Sequence, residues 1–161
     1  MDGERRGRLI LVCGLPGSGK TTLATRLARE LPAVRLCPDE WLDRLGFDLH
    51  APGPRDRLEG LFREHALDLA RLGQTVILEF GFWSRAERDE LRLRARQVGV
   101  AVELRYLGAS VDELWERLAI RNRSGGAGTA VVTREMIEEW ATIFETPDEG
   151  ELALFDEPRL A

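Results

Sequence analysis

The sequence predicts a three-layer α/β/α fold built on a mostly parallel sheet. Three observations carry this. Short apolar runs recur at Leu9–Cys13, Val34–Cys37, 75–80 and 100–107, each the length of a buried strand. Segments with apolar residues at helical spacing separate them, so strands and helices alternate. Ser84 with Glu87, and Ser110 with Glu113, have the capping-box spacing that marks a helix start.

Taken in order, "LILVC" is bounded by charge and by Gly14 and reads as the first strand. Thr21–Glu30 places Leu23, Ala24, Leu27, Ala28 and Leu31 on one helical face, and Pro32 ends it. After the second strand, Asp39 opens a helix "DEWLDRLG" that Gly46 closes. The prolines and glycine of "FDLHAPGPRD" predict a loop. Arg55–Leu72 predicts a long helix with Leu58, Leu61, Phe62, His65, Leu69 and Leu72 on one side, closed by Gly73. "TVILEF" is the third strand, Ser84–Gln97 a helix, and the partly alternating "VAVELRYL" a fourth strand. A helix through "LWERLAIRNR" runs into the glycine-rich "SGGAGTA", which predicts a flexible segment. Thr133 starts the helix "REMIEEWATIFE", which Pro147 stops, and Glu151–Phe155 is expected as a short last strand. Residues 1–161 are read as a single domain.

The chain has 161 residues, 32% charged and 43% apolar, which is the composition of a folded protein with a sizeable core. A net charge of -5 argues against broad nucleic-acid binding while leaving room for a local basic groove. Cys13 and Cys37 are expected as buried thiols in a reducing cytosol. The apolar stretch in "MDGERRGRLILVCG" is too short for a signal peptide, and no run reaches the roughly 20 apolar residues of a membrane span. A cytoplasmic protein, monomer or homodimer, is expected.

The motif with the sharpest chemistry is "GLPGSGKT", residues 14–21, which fits G-x-x-x-x-G-K-[ST] at every position. Gly14, Gly17 and Gly19 let the backbone curl, so that successive N–H groups converge on phosphate oxygens. The helix that comes next adds its positive end. Lys20 is the chain's single lysine, against 22 arginines. A compact ammonium on a flexible stem suits a phosphate cradle better than a planar guanidinium does. The expected nucleotide-binding set is Gly14, Leu15, Pro16, Gly17, Ser18, Gly19, Lys20, Thr21 and Thr22, with the Thr21 hydroxyl on Mg²⁺. The glycine spacing fits a dinucleotide fold poorly, so Mg-ATP or Mg-GTP is the better ligand, and ATP with Mg²⁺ is taken as the cofactor pair.

Further residues are candidates around that loop. Asp39 comes after the second strand, where open α/β sheets bind ligands, and it reads either as a base for an acceptor hydroxyl or as a helix cap. Asp43 and Arg44, one turn on, are candidate pocket residues. Glu79, at the end of the third strand, could meet Mg²⁺ through water or orient a substrate hydroxyl. Phe80, Phe82 and Trp83 read as an acceptor-pocket wall or as plain core. Arg117 and Arg121 share one helix face, and Arg123 lies just beyond; all three are candidates for a closing arginine flap, with Arg121 and Arg123 counted as catalytic beside Lys20 and Asp39. Arg85 and Arg88 are weaker candidates for acceptor contacts. His50 and His65 have no metal-ligand spacing to a partner, so zinc is not expected.

With these residues in place, the chain resembles the P-loop kinases of the zeta toxin, polynucleotide kinase and chloramphenicol phosphotransferase group, and in outline is similar to gluconate, shikimate and adenylate kinases. The resemblance runs from Leu9 to about Glu151 and is sharpest at Gly14–Thr21. It implies a sheet in the order 2-3-1-4-5 and an acceptor site beyond strand two with Asp39 as base. It also implies a lid near 117–133 carrying Arg117, Arg121 and Arg123, and adenine stacked near the lid helix and Pro147–Gly150. The chain differs from ATPase-type machines in having Glu79 and "FGFW" after the third strand. It differs from the polynucleotide members in having Leu42 where they tend to carry an arginine. The expected function is ATP-dependent transfer of the γ-phosphate to a hydroxyl of a small molecule: a sugar, an antibiotic or a nucleoside. The rivals are a polynucleotide 5′-hydroxyl kinase, a regulatory nucleotide-binding protein with weak hydrolysis, and a toxin-like kinase of nucleotide-sugars.

Overall fold

Strand β1 (Arg8–Cys13) lies inside the sheet, and every residue from Leu9 to Cys13 is out of contact with water. A strand covered on both faces needs an unbroken apolar run, which "LILVC" supplies. The computed structural model describes residues 6–126 and 129–159. Around β1 the sheet has the order β2-β3-β1-β4, with β2 (Val34–Leu36), β3 (Thr75–Gly81) and β4 (Ala101–Tyr106) all parallel to their neighbours. This is the expected order over its first four places.

The two faces of the sheet carry separate cores. Ile10, Val12 and Ile77 pack with Ala24 and Leu27 of α1 (Lys20–Glu30) on one face. Leu9, Leu11, Val76 and Leu78 pack on the other with Phe62, Ala66, Leu91 and Ala95 of α3 (Pro52–Arg71) and α4 (Arg85–Gln97). The period-2 alternation of β1 thus feeds both layers. Between β2 and α3 lies the short α2 (Pro38–Arg44). A third cluster joins α5 (Val111–Ser124) and α6 (Arg134–Ile143) through Leu114, Leu118 and Ile137 and includes Leu15 of the glycine loop. The expected capping boxes at Ser84–Glu87 and Ser110–Glu113 are both formed, and Thr133 caps α6.

Three expectations are corrected. Helix α3 begins at Pro52, inside the stretch read as a loop, because a proline in the first helical turn loses no hydrogen bond. Its buried side is Glu59, Phe62, Ala66, Leu67 and Ala70, whereas Leu61 and Leu72 are exposed. The anticipated fifth strand at 151–155 is instead the end of a one-turn helix, α7 (Glu149–Leu152), capped by Asp148, and a turn. Beyond α7 the chain runs beside β4 with side-chain help: Asp156 N–H donates to the Val102 carbonyl (2.9 Å) and its carboxylate accepts from Val102 N–H (2.7 Å).

Residues 127 and 128 of the glycine-rich segment and of the expected lid, and residues 1–5 of the N-terminal stretch, lie outside the described residues. No helix among the described residues is long and apolar enough to cross a membrane.

Candidate functional site

At the carboxyl ends of β1 and β3 the chain makes two unusual turns side by side. Gly14 N–H donates to the Gly81 carbonyl (2.9 Å), tying them together. Gly17 has φ 85°, and a methyl group there would lie 2.9 Å from Leu118 Cγ, so both its backbone and the overlying helix α5 demand glycine. Gly19, at φ 96°, starts α1 without any side-chain cap, and no acidic residue occupies the first turn. The amino end of α1 therefore keeps its unpaired N–H groups and positive potential.

This helix end opens into a cavity of about 690 Å³. Pro16, Gly17, Gly19, Lys20, Thr21 and Thr22 line it from the loop side. Gly14, Leu15 and Ser18 lie behind them; the Ser18 hydroxyl is buried with no hydrogen-bond partner. Lys20 Nζ donates to the Leu15 carbonyl (2.9 Å). Burial pushes the Lys20 ammonium down to about 8, while Glu79 and Asp39 oppose the shift. The Thr21 hydroxyl donates to the Glu79 carboxylate. Glu79 also accepts from Arg35 Nε (2.7 Å), and Arg35 in turn holds Glu40 (2.9 Å). A threonine hydroxyl beside a carboxylate, at an uncapped helix end, is a donor set that suits Mg²⁺ with most of its water retained. No group of three or more His, Cys, Asp or Glu side chains converges among the described residues as a protein-only metal cage would require.

Helix α5 closes one side. Arg117 reaches back to the Gly17 carbonyl (3.3 Å), and Arg121 to the Ala130 carbonyl (3.4 Å). Both line the cavity; Arg123 is exposed and does not. Arg121 Nε is buried without a hydrogen-bond partner, and burial lowers the pKa of that guanidinium against the pull of Asp39. The unpaired buried Nε of Arg121, the Lys20 ammonium and a free helix end give this part of the cavity the character of an anion site.

The opposite side is built by α2, α3 and the β3–α4 turn. Asp39 lines the cavity, and its side chain caps nothing: Cys37 holds the cap position, and Asp39 lies in the first helical turn. Its carboxylate accepts instead from Arg55 NH2, a residue absent from the expected set. Burial works most strongly against the Arg55 guanidinium, and the carboxylates of Asp39 and Glu59 together raise its pKa in spite of that. Arg55, Glu59 and Arg63 stand at four-residue spacing on α3, so they share one face. Arg63 donates to Glu87 (3.1 Å) at the start of α4. An alternating row of charge thus runs Asp39, Arg55, Glu59, Arg63, Glu87. Sequence spacing within the helix expected from Arg55 contained the signal for its middle three members, but not that their face meets Asp39 at one end and Glu87 at the other.

Other expected residues fall elsewhere. Asp43 and Arg44 are exposed on α2 and do not line the cavity. Trp83 and Phe80 do line it, whereas Phe82 is 1% exposed and stacks on Phe80 at 5.2 Å. Phe82 holds φ 50°, a strained conformation for a bulky residue, and Arg88 NH1 secures its carbonyl (2.8 Å). Arg88 is therefore no acceptor contact: it is fully buried and bidentate to Glu151 (2.5 and 3.0 Å). Arg85 is exposed and pairs with Asp89 (3.4 Å). The cysteines are free and buried.

A parallel sheet with a G-x-x-x-x-G-K-T turn feeding the first helix, and an arginine-bearing helix over it, defines a P-loop protein of the kinase-like kind. The chain belongs to the AAA domain family AAA_33, whose model matches residues 9–147. Among curated relatives, it is 32% identical over 118 residues to a protein of Aeropyrum pernix named "Probable adenylyl-sulfate kinase", covering 70% of this chain and 64% of the relative. It is 36% identical over 70 residues to tRNA dimethylallyltransferase 1 of Pelobacter propionicus, covering 44% of this chain and 23% of that protein. The chain thus spans less than two thirds of either relative. Among solved structures, it superposes on a chain of the Pnkp1/Rnl/Hen1 RNA repair complex (TM-score 0.72, 20% identity, 96% of this chain and 48% of that one). It also superposes on a gluconokinase of Sinorhizobium meliloti (0.63, 20% identity, 91% and 79%). A third likeness is to Kti12 of Chaetomium thermophilum in complex with ADP-AlF3 (0.66, 21% identity, 87% and 81%). These superpositions speak to fold.

Proposed function

We propose that the protein is an ATP-dependent phosphotransferase that moves the γ-phosphate to a hydroxyl of a small molecule. The observation that carries this reading is the single cavity surface shared by the Lys20–Thr21 helix end and the Asp39–Arg55 pair. An anion-attracting end and a carboxylate end within one cavity suit a triphosphate facing an alcohol. Membership of the AAA_33 family and the kinases among the chain's relatives support it.

In this reading the backbone of Gly14–Gly19 and the amino end of α1 hold phosphate oxygens, and Lys20 leaves the Leu15 carbonyl to meet them. Thr21, with Glu79 behind it, is the group that would hold Mg²⁺. When bound, Mg-ATP supplies the phosphoryl group and the charge that offsets its oxygens. Arg117 and Arg121 neutralise the equatorial oxygens in transit, and the segment 117–133 serves as a lid that excludes water. Asp39 accepts the hydroxyl proton as its oxygen attacks. Arg55 fixes the rotamer of that carboxylate.

The test is a screen of hydroxylated metabolites and nucleosides with labelled ATP, run beside Asp39→Asn and Lys20→Ala variants. Labelled product with the parent protein and at least a hundredfold less with either variant is expected. ATP hydrolysis with no acceptor product would favour a nucleotide switch instead.

A further inference from the structure

The row of charges on α3 has one member whose hydrogen bonding is incomplete. Asp39 accepts from Arg55; Glu87 accepts from Arg63 (3.1 Å) and from the Ser84 hydroxyl (3.3 Å). Arg55 also donates to the Leu49 carbonyl (3.2 Å), and His50 Nε2 lies 3.2 Å from the Val131 carbonyl. Glu59 differs. It retains 9% of its surface and lines the cavity, yet its carboxylate oxygens approach Arg55 and Arg63 only to 3.7 Å. That is salt-bridge range, but longer than a hydrogen bond. Among the described residues no group donates to it within hydrogen-bond distance, and its oxygens open onto the cavity, so a bound molecule can supply the donors.

We infer that Glu59 is a specificity-determining residue that accepts hydrogen bonds from hydroxyl groups of the acceptor, and that the acceptor is an uncharged polyhydroxylated molecule. The inference rests on the phosphotransfer reading and narrows it. Three carboxylates at this end, Asp39, Glu59 and Glu87, face two guanidiniums that are already engaged with them. An anionic acceptor would bring a further negative charge to Glu59, whose ion-pair partners among the described residues, Arg55 and Arg63, are each shared with a second carboxylate. A neutral polyol brings hydrogen-bond donors, which is what Glu59 lacks. Phe80, Trp83, Leu49 and Pro52 supply apolar wall for the carbon face of such a molecule. Burial pushes the Glu59 carboxyl up to about 7, as expected of a group whose charge is incompletely satisfied.

The experiment compares matched pairs with one carbon skeleton, a neutral hexose or hexitol and its aldonate or sugar phosphate, as acceptors at pH 8. Parent protein and the Glu59→Gln and Glu59→Ala variants are assayed, and Mg-ATP binding is followed by calorimetry in each. The neutral member is expected to be phosphorylated in preference to its anionic partner. Glu59→Gln should raise the acceptor KM tenfold to about a hundredfold. Its kcat should change less than about threefold, and ATP affinity should not move. Preference for the anionic member, an unchanged acceptor KM in both variants, or no transfer to any neutral polyol while Mg-ATP still binds would overturn the inference. A parent protein that does not bind Mg-ATP would overturn the phosphotransfer reading on which it stands.

Discussion

Arg55 and Asp39 are 16 residues apart in sequence and hydrogen-bonded in the fold, the guanidinium of one helix held against the carboxylate of another. The pair couples the start of α3 to the first turn of α2 and leaves Asp39 facing the cavity. If Arg55 positions Asp39, the two should not act independently. Asp39→Asn is expected to lower transfer by about 10²-fold or more, and Arg55→Ala by less. The double variant should be little worse than Asp39→Asn alone. Additive losses in this cycle would place Arg55 outside the working of Asp39.

Lys20 is expected to separate activity from stability. Its folded pKa, about 8, lies below the ordinary 10.5, so the folded chain binds fewer protons than the unfolded chain between those values. Stability from this group therefore rises as pH climbs from 8 to 10.5, and the full cost of burying the charge is present below 8. Lys20→Met removes that cost. Its Tm at pH 7 should match or exceed the parent's by a few degrees, while phosphate transfer and Mg-ATP binding collapse. A Tm that falls together with activity would assign the lysine a structural part.

Glu59 carries the opposite sign. With its pKa raised from 4.5 to about 7, the folded state binds more protons than the unfolded state across that window. Stability contributed by this group is lost as pH rises from 4.5 to 7 and stays low above. Glu59→Gln should stabilise the ligand-free protein by about 1–3 kcal/mol at pH 8 and by close to nothing near pH 4.5. Denaturant unfolding at the two pH values measures the difference.

Arg88 and Glu151 form a buried pair that joins α4 to α7 and steadies the Phe82 turn. Removing one partner strands a charge, so Glu151→Gln or Arg88→Ala should cost about 3–5 kcal/mol. Replacing both with leucine should restore much of the loss. The effect belongs in the unfolding midpoint, with acceptor KM little changed in whatever protein remains folded.

Burial pushes both thiols up to about 12. Cys13 and Cys37 should resist a neutral-pH thiol reagent in the native protein and react at once in denaturant, two groups per chain. Prompt native labelling of Cys37 would mean that the β2–α2 turn opens.

The phosphate loop, the four strands and the capped helix starts were legible in the residues, because each is a local rule, whereas the strand order came only with the likeness to P-loop kinases. A glycine at positive φ, an apolar run of strand length and a serine three residues before glutamate each act within a few positions of themselves. The likeness to P-loop kinases was legible for the same reason, since its sharpest part is eight consecutive residues. What only the folded chain decided was pairing. "ELALF" looks like a strand until Glu151 is needed beneath Arg88, and Arg88 looks like a surface ligand until Phe82 requires its carbonyl held. Asp39 looks like a cap until Arg55 arrives from the next helix, and Glu59 looks like one more solvated acid until α2, α3 and α4 enclose it. A charge is placed by partners distant in sequence, and its energy depends on how much water those partners leave around it. Composition and spacing carry neither.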